Sequence, residues 1–283
     1  MDALDGLSVC TERRVIHMLP EGPPVVGVTS LGKEIYLLRV KECVDAVEVY
    51  DVISYRKLRR LTVPYAHSFT DMTSCKRFLC LYICDPSDQC IHRLDIQGSH
   101  TKWPVNDTPY CLSVSACHSL IVTCRRVRKL KEFSPRGELL RDFTLPHDVV
   151  SPRHTIQLTS GQFIVCHGDR GHPIHRVCKV SKDGGRIIDS HGGQQGSDIG
   201  HCDGPSHLAV DDNEFVFVVD VNNRQVTLLS PALDYIRQVV SCDQVNWEPR
   251  RLCLDVQRRH LYVAENKLLD GEFTAGRVVV YSV

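Results

Sequence analysis

Pro205-Ser206-His207-Leu208-Ala209-Val210-Asp211 is a short apolar run opened by a proline and closed by a turn former. Asp212-Asn213-Glu214 reverses the chain into Phe215-Val216-Phe217-Val218-Val219-Asp220. Asn222-Asn223 turns it again, Arg224 to Leu229 forms a third run, and Tyr235 to Val240 a fourth. β-Branched and aromatic runs of this length, punctuated by Asp and Asn, predict strands joined by tight turns. Residues 205–248 therefore read as one four-stranded antiparallel sheet.

The same phrase recurs in both directions. Proline-led segments start at Pro23/Pro24, Pro64, Pro109, Pro152, Pro205 and Pro249, at steps of 41, 45, 43, 53 and 44 residues. A fixed period of this size is the signature of a repeat architecture. The sixth segment has Pro249 to Asp255, Leu261 to Glu265 and Arg277 to Tyr281, and no fourth strand. The unassigned run Arg13-Arg14-Val15-Ile16-His17-Met18-Leu19 has strand character. Placing it in the sixth sheet closes the array into a ring and hides the edges that an open array would expose. The expected fold is all-β: a six-bladed β-propeller over residues 13–283, after an extension at 1–12. Its blades are expected at about 23–63, 64–108, 109–151, 152–204, 205–248, and 249–283 with 13–19. Val127 to Phe133 is the one short stretch with helical character, and Gly192 to Gly204 is expected to be a long inter-blade loop.

Composition narrows the functional classes. The 283 residues carry 34 Lys+Arg and 34 Asp+Glu, so no overall field draws the chain to nucleic acid or acidic lipid, and such binding needs a local patch. No apolar run approaches the 18 residues of a spanning helix, and the start Met1-Asp2-Ala3-Leu4-Asp5 has no apolar signal region. A cytoplasmic protein, without membrane association, is expected. Fourteen cysteines would suggest disulfides in a secreted chain, but many lie inside apolar runs, such as Cys80, Cys124, Cys166 and Cys253. They are expected to be free thiols that fill the core. No Cys-x-x-Cys pair occurs, so no zinc finger is expected.

The repeat phrase resembles the NHL repeat, named for an Asn-His-Leu triplet in the first strand. Ser206-His207-Leu208 stands at that point, with Arg153-His154-Thr155 one blade earlier and Arg250-Arg251-Leu252 one blade later. Asp220-Val221-Asn222-Asn223-Arg224 and the lead-in Gly192-Gly193-Gln194-Gln195-Gly196-Ser197 are also similar to the family's pattern. Such propellers often form the C-terminal half of tripartite-motif ubiquitin ligases, where they recruit substrate proteins or bind single-stranded RNA. No RING-spaced Cys/His array, B-box or coiled-coil heptad accompanies this one, so a free-standing propeller is expected.

In a propeller the second-to-third-strand loops share a face with the inter-blade connections, and loops held on a rigid frame are the usual binding elements. The residues expected on that ligand-binding face are Arg39, Lys41, Arg125, Arg126, Arg128, Lys129, Lys131, His167, Arg170, His172 and Arg224. The cluster from Arg125 to Lys131 is the densest positive run and suits an acidic peptide or phosphates. Tyr65, Trp103, Tyr110 and Trp247 are the aromatics available for base stacking. His154, His207 and Arg251 are expected at the mouth of the central channel. There the histidines either hydrogen-bond the neighbouring blade or, with His67, hold zinc as in the propeller-shaped amidating lyases. Asp211, Asp220, Asp255 and Glu265 suit turn and strand-end roles better than a calcium lactonase site. The leading expectation is a monomeric, non-enzymatic interaction scaffold that binds a protein or acidic peptide, with no cofactor and no metal. Its expected context is ubiquitin-dependent degradation. The alternatives are single-stranded RNA binding by the same face, and a metal-dependent lyase or lactonase in the channel.

Overall fold

A computed structural model describes residues 15–40, 46–64, 68–169, 171–241 and 247–283. These residues form six four-stranded antiparallel sheets and one three-residue 3-10 turn, Arg125–Val127. Five sheets run in simple up-and-down order over residues 25–62, 71–104, 111–144, 152–194 and 205–241. The sixth takes 247–282, and Val15–Met18 supplies its outer strand. Every first strand lies beside the first strands of the two neighbouring sheets, and the first sheet meets the sixth. The protein is a closed six-bladed propeller.

The burial pattern follows from the stacking of blades. Second strands are buried on both faces because a blade covers each side, and Cys80–Asp85, Leu120–Cys124 and Val216–Asp220 are mostly apolar and buried along their whole length. Fourth strands lie on the rim, and Lys57–Thr62 and Leu139–Thr144 are largely exposed. The core is divided into six apolar layers, one for each gap between adjacent blades. Eleven described cysteines are free thiols, nine of them buried, which fits their reading as small core residues.

Local differences from the periodic reading have physical causes. Pro64 precedes the first strand of its blade by seven residues, since that strand begins at Asp71, whereas Pro205 is itself the first strand residue. The prolines mark blade junctions rather than a constant strand position. Gly192 and Gly193 lie within the strand Ile187–Gln194, paired with Arg176 and His175 of the preceding strand, so the inter-blade loop starts later than expected. Lys129–Phe133 is a strand, and the helical character ahead of it is the 3-10 turn.

The N-terminal strand closes the ring. Val15 pairs with Tyr281 and Met18 with Val279, and the Leu19 amide donates to the Val278 carbonyl at 2.8 Å. Arg13 and Arg14 lie outside the described residues. The strand itself is mostly exposed, but Leu19 is 1% exposed and packs in the layer between the first and sixth blades. Leu19→Ala should therefore cost about 2–5 kcal/mol, the range for a truncated core leucine. Urea unfolding checks this; a loss no larger than that of a surface substitution would show that the closing segment is not part of the cooperative unit.

Candidate functional site: the axial ring and the loop face

Strand register sets one residue of every blade at the same level of the central channel. The six are Gly27 opposite Leu38, Asp71 opposite Cys84, Cys111 opposite Thr123, His154 opposite Cys166, His207 opposite Val219 and Arg251 opposite Ala264. In four blades the register shifts just before that residue, at Val26, Arg153, Ser206 and Arg250. A bulge of this kind re-aims the side chains around it. Here it divides consecutive residues between the axis (His154, Arg251) and the loop face (Arg153, Arg250).

The axial residues are tied to one another across the blades. The Leu112 amide donates to Asp71 Oδ2 at 2.8 Å. His154 spans two blades: its Nδ1 accepts from the Leu208 amide at 3.2 Å and its Nε2 lies 3.0 Å from the Leu112 carbonyl. His207 Nδ1 accepts from the Leu252 amide at 3.3 Å, its Nε2 faces Asp71 Oδ1 at 3.7 Å, and its ring stacks on His154 at 3.9 Å. Arg251 completes the circuit by donating from Nε to Asp71 Oδ1 at 3.1 Å and from an Nη to the Thr70 carbonyl at 2.5 Å. In doing so it crosses the first blade, whose axial residue is Gly27. A Cβ there would lie 2.7 Å from the Met72 Cβ, so only glycine fits.

This circuit decides the chemistry of the channel. Asp71, His154 and His207 are close enough together to hold a metal ion. A backbone amide donates to Nδ1 of each histidine, which fixes the proton of the neutral ring on Nε2 and aims it at an acceptor. Burial pushes His154 well below the ordinary histidine range, with the charge of His207 adding to the effect. Burial opposes ionisation of Asp71, but the His207 hydrogen bond and the Arg251 charge prevail and hold its carboxyl down at about 2. Neither ring has a lone pair left for a metal, and a guanidinium already neutralises the carboxylate. Both histidines thus hydrogen-bond backbone groups of neighbouring blades. His67 lies outside the described residues; at the corresponding level its blade places Asp71. Beyond the circuit the channel opens into a cavity of about 250 Å³ lined by Ser30, Ser74, Ser113 and Lys76.

On the loop face, Arg125, Arg126 and Arg128 line a recess of about 650 Å³ with Tyr110, Pro86, Ser151 and Asp169. The Arg125 guanidinium lies 5.1 Å from the Tyr110 ring centroid and pairs with Asp169. Arg126 is exposed. Arg128, in the left-handed region at φ +54°, donates to the His147 carbonyl. A second recess of about 250 Å³, between Arg153, Arg250, Asn222 and Phe273, shares Asp169 with the first. Arg153 donates to the Gly168 carbonyl and to Asp169, and Arg250 pairs with Glu248 over the Phe273 ring. His172 is half-buried and its Nδ1 accepts from the Ile174 amide, while Arg224 is exposed in a turn at φ +52°. Lys129 pairs with Asp142 at 3.2 Å.

Three residues expected on the surface are buried. Arg39 is 4% exposed, bonded to Glu48 and to the carbonyls of Pro20, Pro23 and Gly276. Lys131 is equally enclosed, between Asp107, Asp142 and the Val105 carbonyl. His167 is fully buried 3.3 Å from the Cys178 sulfur, and burial holds its imidazole down at about 3. Strand ends are covered by adjoining blades, so loop proximity in sequence did not mean exposure. Lys41, Arg170 and Tyr65 lie outside the described residues. Sequence reasoning missed Asp71 at the axis and the loop-face placement of Arg153 and Arg250. The pattern Pro-x-His or Pro-x-Arg, shared by Pro152, Pro205 and Pro249, could have flagged the bulge residues Arg153 and Arg250. Asp220 accepts from the Asp203 amide and from Asn223 and Gln225, a turn role.

No family model matches the chain, and no curated protein matches it. Solved structures do resemble it in fold. The β-propeller domain of Cps50 (Swd1) from Myceliophteria thermophila superposes with a TM-score of 0.64 at 12% identity, over 96% of this chain and 100% of that one. A streptogramin B lyase gives 0.62 at 10% identity, over 93% and 85%. Virginiamycin B lyase from Staphylococcus aureus gives 0.63 at 8% identity, over 96% and 100%. These likenesses carry the propeller fold alone, and the NHL resemblance rests on the repeat residues.

Asp71→Asn keeps the size of the axial carboxylate but leaves Arg251 buried without its counter-ion, which should cost about 3–5 kcal/mol at neutral pH. The folded carboxyl titrates at about 2, below its ordinary value of 3.8, so its contribution is complete above about pH 4 and disappears as the pH falls through about 2. Urea midpoints measured down this range should show the wild type converging on the variant. A gap that stays constant with pH would mean that the charge is not what holds Arg251.

Proposed function

We propose that this chain is a non-enzymatic interaction scaffold whose loop face binds an acidic segment of another protein. The observation that carries the reading is the excess of guanidinium groups around two adjoining recesses. Arg125, Arg126, Arg128, Arg153 and Arg250 share that surface with Asp169 and Glu248 as their paired carboxylates. Guanidinium forks favour bidentate carboxylate partners, and a recess with apolar walls raises the strength of such bonds. The six interlocked blades keep the loops in place, which lowers the ordering cost of binding. A place in ubiquitin-dependent degradation rests on the NHL resemblance.

Single-stranded RNA binding by the same face is supported less well. Tyr110 and Phe273 lie beneath the guanidinium groups of Arg125 and Arg250, and Trp103 and Trp247 are buried, so the described rings of this face are poorly placed for stacking bases. Catalysis in the channel has little support either, since the axial histidines are committed to backbone partners.

Affinity purification from the native cell, with protein and RNA partners read together, tests the proposal. Arg126→Glu, at an exposed position, should leave the urea midpoint within about 0.5 kcal/mol of wild type and remove the captured protein partners. Retention of all partners would move the site off this recess. Capture of RNA with a steep fall in affinity as salt rises would replace the protein reading with the nucleic-acid one.

A further inference from the structure

The second blade holds a side-chain cluster that neither the axial ring nor the loop face uses. Asp85 ends the second strand of that blade, Cys90 opens the third directly opposite it, and His92 follows two residues later on the same face. The exposed turn 86–89 joins them. Asp85 and His92 are fully buried and Cys90 is 4% exposed. Around His92 Nε2 stand Asp85 Oδ2 at 3.3 Å and Cys90 Sγ at 3.4 Å, and the three ligand atoms all lie within 4.8 Å of one another.

The two separations from His92 Nε2 match those that a tetrahedral metal imposes. With metal–nitrogen and metal–oxygen bonds of about 2.0–2.1 Å and a metal–sulfur bond of about 2.3 Å, tetrahedral angles set nitrogen–oxygen at about 3.3 Å and nitrogen–sulfur at about 3.5 Å. The supporting contacts have the matching form. Asp85 Oδ1 is held by the amides of Ser87 and Asp88 at 3.0 and 3.1 Å, which leaves Oδ2 turned toward His92. His92 Nδ1 lies 2.9 Å from His100 Nε2, and Phe69 packs edge-on against the His92 ring. A hydrogen-bond partner on the far ring nitrogen is the usual device that orients a metal-binding histidine.

The contrast with the axial cluster is decisive. There, backbone amides occupy Nδ1 and force the proton onto Nε2. Here the partner of His92 Nδ1 is another imidazole, which can accept as well as donate. When His92 donates from Nδ1 to His100, its Nε2 lone pair, the Asp85 oxygen and the Cys90 sulfur converge on one point, and a cation satisfies all three at once.

We propose that Asp85, Cys90 and His92 form a zinc-class divalent metal site that staples the second blade, with water in the fourth position. A metal–sulfur bond replaces the Cys90 S–H bond, and the proton passes to solvent. A thiolate and an imidazole favour zinc over the harder magnesium and calcium. The ion bridges the end of one strand to the start of the next and so binds the folded chain in preference to the unfolded one.

Cobalt(II) titration of the metal-stripped protein tests this. One equivalent should give tetrahedral visible bands together with a thiolate charge-transfer band, and zinc should displace it. Cys90→Ser should abolish the charge-transfer band. Should that variant fail to fold, Asp85→Asn serves in its place, retaining the band with affinity lowered at least tenfold. Absence of a charge-transfer band in the wild type, its persistence in Cys90→Ser, or unchanged affinity in Asp85→Asn would each overturn the proposal.

Discussion

The bond from Arg251 to Asp71 spans 180 positions of sequence and joins the last blade to the second across the first. It is the point at which a linear array becomes a ring. Its geometry needs three things together: a carboxylate in the second blade, a guanidinium in the sixth, and glycine at position 27 between them. His207 and His154 extend the same circuit through the fifth and fourth blades to the third. A charge pair this far from water is favourable only when every remaining donor and acceptor finds a partner. Here the partners are backbone amides and carbonyls of neighbouring blades, so the circuit fixes how the blades stand relative to one another. The N-terminal strand and Leu19 perform the equivalent closure at the rim.

That division explains how the molecule handles its polar residues. Charges on the axis and at the strand ends are buried and spent on holding blades together, as with Arg39 and Lys131. Charges one residue away, on the bulges and in the loops, reach the surface. The bulge in the first strand is the device that separates the two roles. The result is a frame whose loop face carries the arginine-lined recesses and whose axis carries the hydrogen-bonded circuit.

Much of the fold was readable from strand and turn punctuation, because each blade repeats the same problem of burying a four-stranded sheet between two others. Phe215 to Asp220 had to be a doubly covered strand, and the lone run ending at Leu19 had to pair with something. The site was less readable. Proline spacing misplaced the first strand of the second blade, so Asp71 was hidden and His67 stood in its position. Nearness to a predicted loop suggests exposure, but exposure depends on which way the strand end turns and what the next blade brings against it. The Asp85, Cys90 and His92 cluster gave no spacing signal of the zinc-finger type, since its ligands come together across a hairpin rather than along a motif.

The sequence by itself determined that six sheets form and that the chain ends meet, because alternation, turns and period are local properties repeated along it. Only the tertiary structure decided which polar residues share a point in space and which nitrogen of His154 and His207 carries the proton. Those outcomes depend on contacts between blades tens to hundreds of residues apart, and no local pattern encodes the donor that a neighbouring backbone will present.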